Sequence, residues 1–212
     1  MVGMAEPPSA PQDVPASRVH GLSDGVFAIV MTLLVLELRV PEQVAGLGQA
    51  ARDARLAGEL VTLAPRLLIY AFTFMVAGLS WLSHTRFQNR VRHTDQRLAF
   101  LNIVYLMLVS LLPFTSGLIG AYADTPAGVA SYAVNQVLIG LAFLWMLRHA
   151  AVHALLDPDW RDEGLGQRAA VNLGVFALMA VMAFVDLSLS WFTPFVLLAA
   201  HPLLRRVVRQ AW

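Results

Sequence analysis

Long apolar runs alternate with short polar segments along most of this chain. A helix needs about 20 mostly apolar residues to cross a bilayer, and six segments reach or approach that length. Because only a helix satisfies its own backbone hydrogen bonds inside lipid, all six are predicted to be α-helical. The predicted spans are residues 22–38, 60–83, 98–119, 127–147, 169–187 and 190–207. The last two are short and are joined by a tight turn near Asp186.

The composition supports an all-α, polytopic membrane protein with six transmembrane helices. Hydrophobic residues make up 58% and charged residues 14% of the 212 positions, which is too apolar for a soluble domain. The chain has no cysteine, which excludes disulfides and thiolate catalysis. Residues 1–16 contain four prolines and no apolar run, so they are predicted to form a disordered cytoplasmic tail. Residues 17–212 are predicted to form one transmembrane domain.

The basic residues, which are all arginines, indicate the orientation of the spans. If the six spans alternate, one side carries Arg18, Arg86, Arg90, Arg92, Arg97, Arg148, Arg161, Arg168, Arg205, Arg206 and Arg209, and the other carries Arg39, Arg52, Arg55 and Arg66. An excess of positive charge marks the cytoplasmic side. Both termini are therefore predicted to be cytoplasmic, in the plasma membrane of a bacterium. No basic cluster outside the spans contains interleaved aromatic residues, so no nucleic-acid partner is predicted.

Residues 21–25 read GLSDG and match the G-x-S-x-G pattern of serine hydrolases. That motif needs a strand before the serine and a helix after it, with histidine and acidic partners. A proline-rich segment precedes Ser23 instead, so a membrane hydrolase is not favoured and the chain is predicted not to be an enzyme. A hydroxyl at the start of a helix caps free backbone N–H groups, and this is the role expected of Ser23.

The first span carries an acidic residue near each end. Glu37 lies 13 residues after Asp24, which corresponds to about 20 Å along a helix. Between them, one helical face holds Ile29, Thr32, Leu33 and Leu36. Acidic mouths, a narrow apolar middle and a hydroxyl are typical of a cation pathway, with Glu37 at the pore mouth. The same stripe also fits ordinary helix packing, with Asp24 favoured by the helix dipole, and spacing alone leaves both interpretations open.

The residues around this span resemble those of a known family. Arg18, Leu22, Ser23 and Asp24 form an R-x-x-x-L-S-D sequence, which is similar to the R-x-x-x-F-S-D signature of the transmembrane protein 175 family. Residues 70–120 resemble that family's second and third spans. They carry, in the expected order, Trp81, His84, Phe87, Asp95, Asn102, Pro113 and Phe114.

The resemblance implies a potassium channel of the bacterial branch of this family. Such a channel is a homotetramer whose first helices line a central pore, with K⁺ as the permeant ion and no cofactor. The resemblance places the main hydrophobic constriction at Ile29, and further pore positions at Thr32, Leu33 and Leu36. Other monovalent cations are expected to pass as well, because bacterial members select only modestly for potassium over sodium.

The resemblance also implies which residues hold the first helix in place. In such relatives the arginine and the Ser-Asp pair bind polar residues of neighbouring helices, which gives Arg18, Ser23 and Asp24 positioning roles. The implied partners are Trp81, His84, Asp95 and Asn102. Leu22 stands where the family has phenylalanine, so an apolar contact is kept but ring area is lost.

Two pairs of histidines invite other interpretations. His149 and His153 are four residues apart and could share a helix face, as metal ligands do. No third ligand is evident, and a solvated cytoplasmic extension of the fourth span is favoured. His84 and His93 could sense pH, although a structural, hydrogen-bonded role is favoured.

Three further expectations concern the loops and the function class. A short amphipathic helix is predicted within the loop 39–59, and Pro113 is predicted to kink or end the third span. The alternative function is a proton- or solute-coupled secondary transporter. Such a transporter would place polar and ionisable residues at mid-membrane in several helices, and ionisable residues are scarce there.

Overall fold

The computed structural model describes residues 15–40, 48–158 and 164–194. The helices within these ranges are α1 (Ala16–Leu33), a 3-10 helix (Leu34–Glu37), α2 (Gln49–Gln88), α3 (Gln96–Ser110), α4 (Leu112–Ala121), α5 (Pro126–Val152), α6 (Leu165–Val185) and α7 (Leu187–Ser190). Five helical stretches are long and apolar enough to cross a membrane: α1 with its 3-10 extension, α2, α3 with α4, α5 and α6. They confirm the predicted all-α membrane fold. Most of the sixth predicted span, and the tail up to residue 14, lie outside the described residues.

The first helix begins earlier than predicted, at Ala16. Its N-cap position is Pro15, and no side chain caps it. Ser23 and Asp24 therefore lie about two turns inside the helix. The predictions that Ser23 caps the helix and that Asp24 benefits from its N-terminal dipole are wrong. The hydroxyl of Ser23 instead donates to the backbone oxygen of Val19, at 2.8 Å.

The second helix is much longer than the predicted span. At 40 residues, α2 extends for about 60 Å, about twice the thickness of the hydrocarbon core. The prediction of a short helix within the loop 39–59 is correct in that residues 49–59 are helical, but they are the first turns of α2 and not a separate helix, while residues 41–47 lie outside the described residues. An ion pair of 2.6 Å between Arg55 and Glu59, one turn apart, supports these exposed turns.

The third span is interrupted where a proline was expected to disturb it. The backbone leaves regular helix at Leu111, and Pro113 lies in the first turn of α4. Proline has no N–H to donate and its ring clashes with the carbonyl of the preceding turn. The prediction that Pro113 disturbs the third span is thus confirmed as an interruption of the helix. The tight turn near Asp186 is also confirmed, since the Asp186 carboxylate accepts hydrogen bonds from the backbone N–H groups of Ser188 and Leu189.

The helix α5 lies at the centre of the bundle and packs against α3, α4 and α6. The contact with α6 is close, because a Cβ atom added at Gly140 would come within 3.3 Å of Leu173 Cβ. In contrast, α1 lies at the periphery, against α2 and α3. Its side chains Phe27 and Val30 enter a core that α2, α3 and α5 complete. One face of α1 is thereby fixed, and the described part of the chain leaves the other uncovered.

One end of the bundle, which we call the arginine-rich end, contains Arg86, Arg90, Arg92, Arg97, Arg148 and Arg168. There the connection between α2 and α3 pairs with the segment after α5 through an antiparallel bridge between Val91 and Leu156. The backbone N–H of Arg92 donates to the Leu155 oxygen at 2.8 Å, and that of Asp157 to the Arg90 oxygen at 2.9 Å. This pairing joins α2, α3 and α5 at their shared end.

Candidate ion pathway and the residues that hold it

The uncovered face of α1 carries the residues predicted to line a pore. Ile29 is 59% exposed and Leu36 is 70% exposed, and Leu33 and Thr32 are also exposed. The opposite face, made of Ser23, Phe27, Val30 and Leu34, is buried. The four predicted residues thus share one side of the helix, and they pack into no core formed by the described residues of their own chain. An apolar face of this kind is left for lipid, for another copy of the chain or for a pore.

Thr32 is the polar residue within this face. Its hydroxyl donates to the backbone oxygens of Ala28 and Ile29, at 3.0 and 2.8 Å. A hydroxyl has one proton and two lone pairs. Because the proton is already used within the helix, the exposed oxygen has only lone pairs left to offer, which suits a cation better than an anion.

The 3-10 helix changes the direction of the last side chains. In 3-10 geometry residues three apart point the same way, whereas in an α-helix they diverge. Leu36 therefore lies directly above Leu33 on the uncovered side, and both are exposed. By the same geometry, the Glu37 side chain points in the same direction as that of Leu34, which is buried.

Glu37 consequently lies beside α4. A Cβ atom added at Gly117 would collide with the Glu37 carboxylate, so the carboxylate lies directly against the backbone of α4. Glu37 also lines a cavity of about 230 Å³ together with Arg39, Arg66 and Ser116. It remains exposed, and its place at the pore mouth stays a prediction.

A buried layer of polar side chains holds α1 against α2 and α3. We call it the Ser23 layer, and it consists of Ser23, His84, Gln88 and Asn102. Ser23 Oγ accepts hydrogen bonds from Gln88 Nε2 at 3.0 Å and from Asn102 Nδ2 at 3.2 Å. Asn102 Oδ1 lies 2.9 Å from His84 Nε2. Since that oxygen can only accept, the His84 proton resides on Nε2. The His84 ring also stacks on Tyr105, with centroids 4.8 Å apart. The structure thus brings together the predicted residues Ser23, His84 and Asn102.

The Ser23 layer contains one residue that the sequence analysis missed. Gln88 was assigned to the loop after the second span, but α2 continues to this residue. It lies four residues after His84, and residues four apart share a helix face. That spacing is the signal that could have revealed it. Gln88 is 5% exposed, so its amide needs the partner that Ser23 provides.

The other motif residues lie nearer the surface. Trp81 Nε1 donates to Asp24 Oδ1 at 2.9 Å, which joins α2 to α1 beside the Ser23 layer. Leu22 is 52% exposed and belongs to the uncovered side. The Arg18 side chain is exposed and has no hydrogen bond or ion pair with any residue that the structure describes.

Comparison with known proteins identifies the family. The family model described as endosomal/lysosomal potassium channel TMEM175 matches residues 18–113. A potassium channel of Chamaesiphon minutus is 30% identical over 195 residues, which cover 89% of this chain and 94% of the relative. A potassium channel of Streptomyces collinus is 32% identical over 200 residues, 89% of each chain. The chain belongs to the TMEM175 family. This is a family of ion channels and not of enzymes.

A solved structure gives the same assignment. The crystal structure of a lysosomal potassium-selective channel TMEM175 homolog from Chamaesiphon minutus matches with a TM-score of 0.72 at 27% identity, over 90% of this chain and 97% of that one. The resemblance found in the sequence is therefore confirmed. The segment that matches the TMEM175 family model extends from Arg18 to Pro113, and thus includes the uncovered face of α1 and the whole Ser23 layer.

Asp95 lies apart from the Ser23 layer of this TMEM175 protein. It caps α3 by accepting a hydrogen bond from the Leu98 N–H at 2.7 Å, and His149 Nε2 lies 2.9 Å from its other oxygen. Partial burial opposes the charged carboxylate, but the hydrogen bonds from Leu98 and His149 outweigh it and hold the pKa of Asp95 below its usual value. Asp95 therefore fastens α3 to α5, and it makes no hydrogen bond or ion pair with the described residues of α1.

The end of α5 that carries His149 and His153 was predicted to be a solvated extension of the fourth span, and the structure contradicts this in part. His149 is 8% exposed because it packs against Asp95, so that prediction is wrong for this residue, although His153 is exposed. His153 Nδ1 lies 2.9 Å from the His149 backbone oxygen, and the two rings are 4.2 Å apart. No group of three potential metal ligands occurs among the described residues.

A second buried polar cluster lies between α2, α4 and α5. Ser116 Oγ donates to Thr73 Oγ1 at 3.2 Å, and Gln136 Nε2 donates to the Tyr132 hydroxyl at 3.1 Å. Asn135 adds an amide to the same region. All these groups are uncharged, so the cluster lacks the acid or base that would bind and release a coupling proton.

Proposed function

We propose that four copies of this chain form a potassium-permeable cation channel, with the uncovered face of α1 lining the central pore. The observation that carries the proposal is that Ile29, Leu33 and Leu36 form an apolar face that no described residue of their own chain covers. Its relatives in C. minutus and S. collinus are named potassium channels. If the α1 faces of four copies meet around a central axis, they leave a narrow apolar passage between them.

Conduction through such a passage is passive. Branched side chains in a ring exclude water, so the ring of Ile29 side chains acts as the main constriction. Opening requires the copies of α1 to move apart or to rotate. Thr32 replaces part of the hydration shell of a passing cation through the lone pairs of its hydroxyl. The sequence has no T-V-G-Y-G segment, the source of backbone carbonyl rings in selective filters. Selectivity for potassium over sodium is accordingly modest.

The Ser23 layer sets the position of the pore-lining face. Ser23 and Asp24 are held by α2 and α3, so any rotation of α1 changes these hydrogen bonds. The Arg18 guanidinium, which has no partner among the described residues of its own chain, finds its partner in a neighbouring copy. A lone charge near the membrane surface is costly, and an arginine–carboxylate or arginine–carbonyl contact removes that cost.

The orientation follows from the arginines. The arginine-rich end faces the cytoplasm, so both termini are cytoplasmic and Glu37 lies toward the outside of the plasma membrane. Glu37 at that mouth would raise the local concentration of cations.

The test is an ion-flux measurement on the purified chain in liposomes, with the oligomer mass determined on the same sample. We expect K⁺ efflux down its gradient without any proton gradient, slower Na⁺ flux, and a mass of four chains. Transport that requires a proton gradient would instead support the coupled transporter. A monomer that conducts would contradict the central pore.

A further inference from the structure

A cleft opens between α2, α5 and α6, away from the pore-lining face. Its volume is about 400 Å³. Its walls are largely apolar and include Phe72, Val76, Ile139 and Val175. The cleft runs along the helices, so its walls resemble the surroundings of a lipid acyl chain.

The mouth of the cleft at the arginine-rich end is basic. Arg86 and Arg168 both line it, together with the polar groups of Ser83 and Asn172. No acidic residue lines the cleft among the described residues. Neither guanidinium has a hydrogen bond or ion pair within the part of the chain that the structure describes. Arg168 lies in the first turn of α6, where the helix dipole does not offset its positive charge.

We propose that this cleft binds an anionic phospholipid, with an acyl chain between α2 and α6 and the head-group phosphate between Arg86 and Arg168. Two cations beside one cavity whose described lining contains no carboxylate favour an anion, and guanidinium groups bind phosphate through paired hydrogen bonds. The apolar walls need a hydrocarbon. An anionic lipid supplies both on one molecule, at the depth where basic pockets between transmembrane helices bind such head groups.

The last residues of the chain do not supply the missing charge. Residues 195–212 contain Arg205, Arg206 and Arg209 and no aspartate or glutamate. A protein segment with that composition would add positive charge to the mouth. The charge of the cleft therefore favours a lipid over this segment.

The bound lipid would touch the residues that hold α1. Tyr105 lines the cleft on one side and stacks on His84 on the other. His84 in turn is hydrogen-bonded to Asn102, whose amide donates a hydrogen bond to Ser23. An acyl chain in the cleft is thus separated from the Ser23 layer by a single aromatic ring. The binding itself does not depend on the channel function. The proposed orientation decides only the leaflet, which would be the cytoplasmic one because the two arginines lie at the arginine-rich end.

The experiment is native mass spectrometry of the full, delipidated protein, titrated with phosphatidylglycerol or phosphatidylcholine. We expect the parent protein to retain phosphatidylglycerol preferentially. The double variant R86Q/R168Q should bind it about thirtyfold more weakly, as expected for two interfacial arginines. The matched control R97Q/R148Q removes the same charge from exposed arginines that do not line the cleft, and should bind like the parent.

A second variant tests the apolar part of the site. Ser83→Phe keeps both arginines and fills the cleft, and should reduce the retention of phosphatidylglycerol, with gel filtration reporting whether the oligomer is intact. Equal retention of the two lipids by the parent protein would overturn the proposal. Equal losses in R86Q/R168Q and R97Q/R148Q would also overturn it, because they would indicate a diffuse charge effect.

Discussion

The indole N–H of Trp81 donates a hydrogen bond to the carboxylate of Asp24, across 2.9 Å between α2 and α1. Asp24 is adjacent to Ser23, whose hydroxyl accepts hydrogen bonds from the side chains of Gln88 and Asn102. Adjacent positions of α1 are therefore fastened to different residues of the neighbouring helices. The turn of α1 that carries the motif is held from two directions, and the face proposed to line the pore begins immediately after it.

Removing the Asp24 carboxylate should weaken the folded oligomer more than it changes ion preference. Asp24→Ala removes an acceptor from the Trp81 indole, and hydrogen bonds to charged groups contribute about 2 kcal/mol. We expect a lower melting temperature and a lower tetramer yield by gel filtration. Asp24→Asn keeps an accepting oxygen and should lie between the two. A stable tetramer of Asp24→Ala with altered selectivity alone would contradict this structural role.

The assignment of Ile29 as the constriction predicts a leak when its apolar character is lost. Ile29→Asn places a polar side chain where water must be excluded, and should raise basal K⁺ flux in liposomes severalfold. Ile103→Asn is the matched control, because Ile103 on α3 is 54% exposed, close to the 59% of Ile29. Unchanged flux in Ile29→Asn, or an equal rise in both variants, would disprove the assignment.

The hydroxyl of Thr32 should matter for conduction, and its methyl group should not. Thr32→Val has nearly the same shape but loses the oxygen, so K⁺ flux should fall severalfold relative to Thr32→Ser, which keeps it. The measurement is the rate of K⁺ efflux from liposomes at matched protein density. Equal rates in the two variants would show that the lone pairs described here do not serve the ion.

The contact between Asp95 and His149 predicts a stability that depends on pH. Because the folded pKa of Asp95 is lowered, its charge stabilises the fold above the ordinary carboxyl pKa, and this contribution is lost as the pH falls through the lowered value. Asp95→Asn can still cap α3 but has no charge. We expect it to melt below the parent protein at pH 7, and the difference to shrink as the pH falls below about 4.

The control for this prediction is Asp124→Asn, at an exposed carboxylate between α4 and α5. It should melt like the parent protein at every pH. A gap between Asp95→Asn and the parent that stays constant down to acidic pH would mean that the charge of Asp95 contributes nothing.

Periodicity was enough to find the uncovered face of α1, because a helix places residues three and four apart on one side whatever surrounds it. The kink near Pro113 was predictable for the same local reason, since a missing N–H acts on the preceding turn. The length of α2 could not be predicted from such a local pattern. Its first turns are charged and exposed, so they lack the apolar signal by which a span is recognised, although an Arg55–Glu59 pair supports them as helix.

The contact between Asp95 and His149 could not be read from the chain. The two residues are 54 positions apart and meet only because α3 packs on α5. The burial of His149 has the same origin. Gln88 falls between these cases, because its spacing from His84 is local but becomes informative only when α2 is known to continue to it.

The 3-10 helix that follows α1 differs from an α-helix in the rotation and rise of each residue. A 3-10 helix advances about 120° and 2.0 Å per residue, and an α-helix about 100° and 1.5 Å. Rewinding this segment into α-helix would swing Leu36 by about 60° relative to Leu33 and draw it in by about 1.5 Å. The Ser23 layer, anchored several turns away, would not need to move. In the proposed channel, a local change of winding would therefore change the width of the passage at Leu36 while the rest of α1 stays in place.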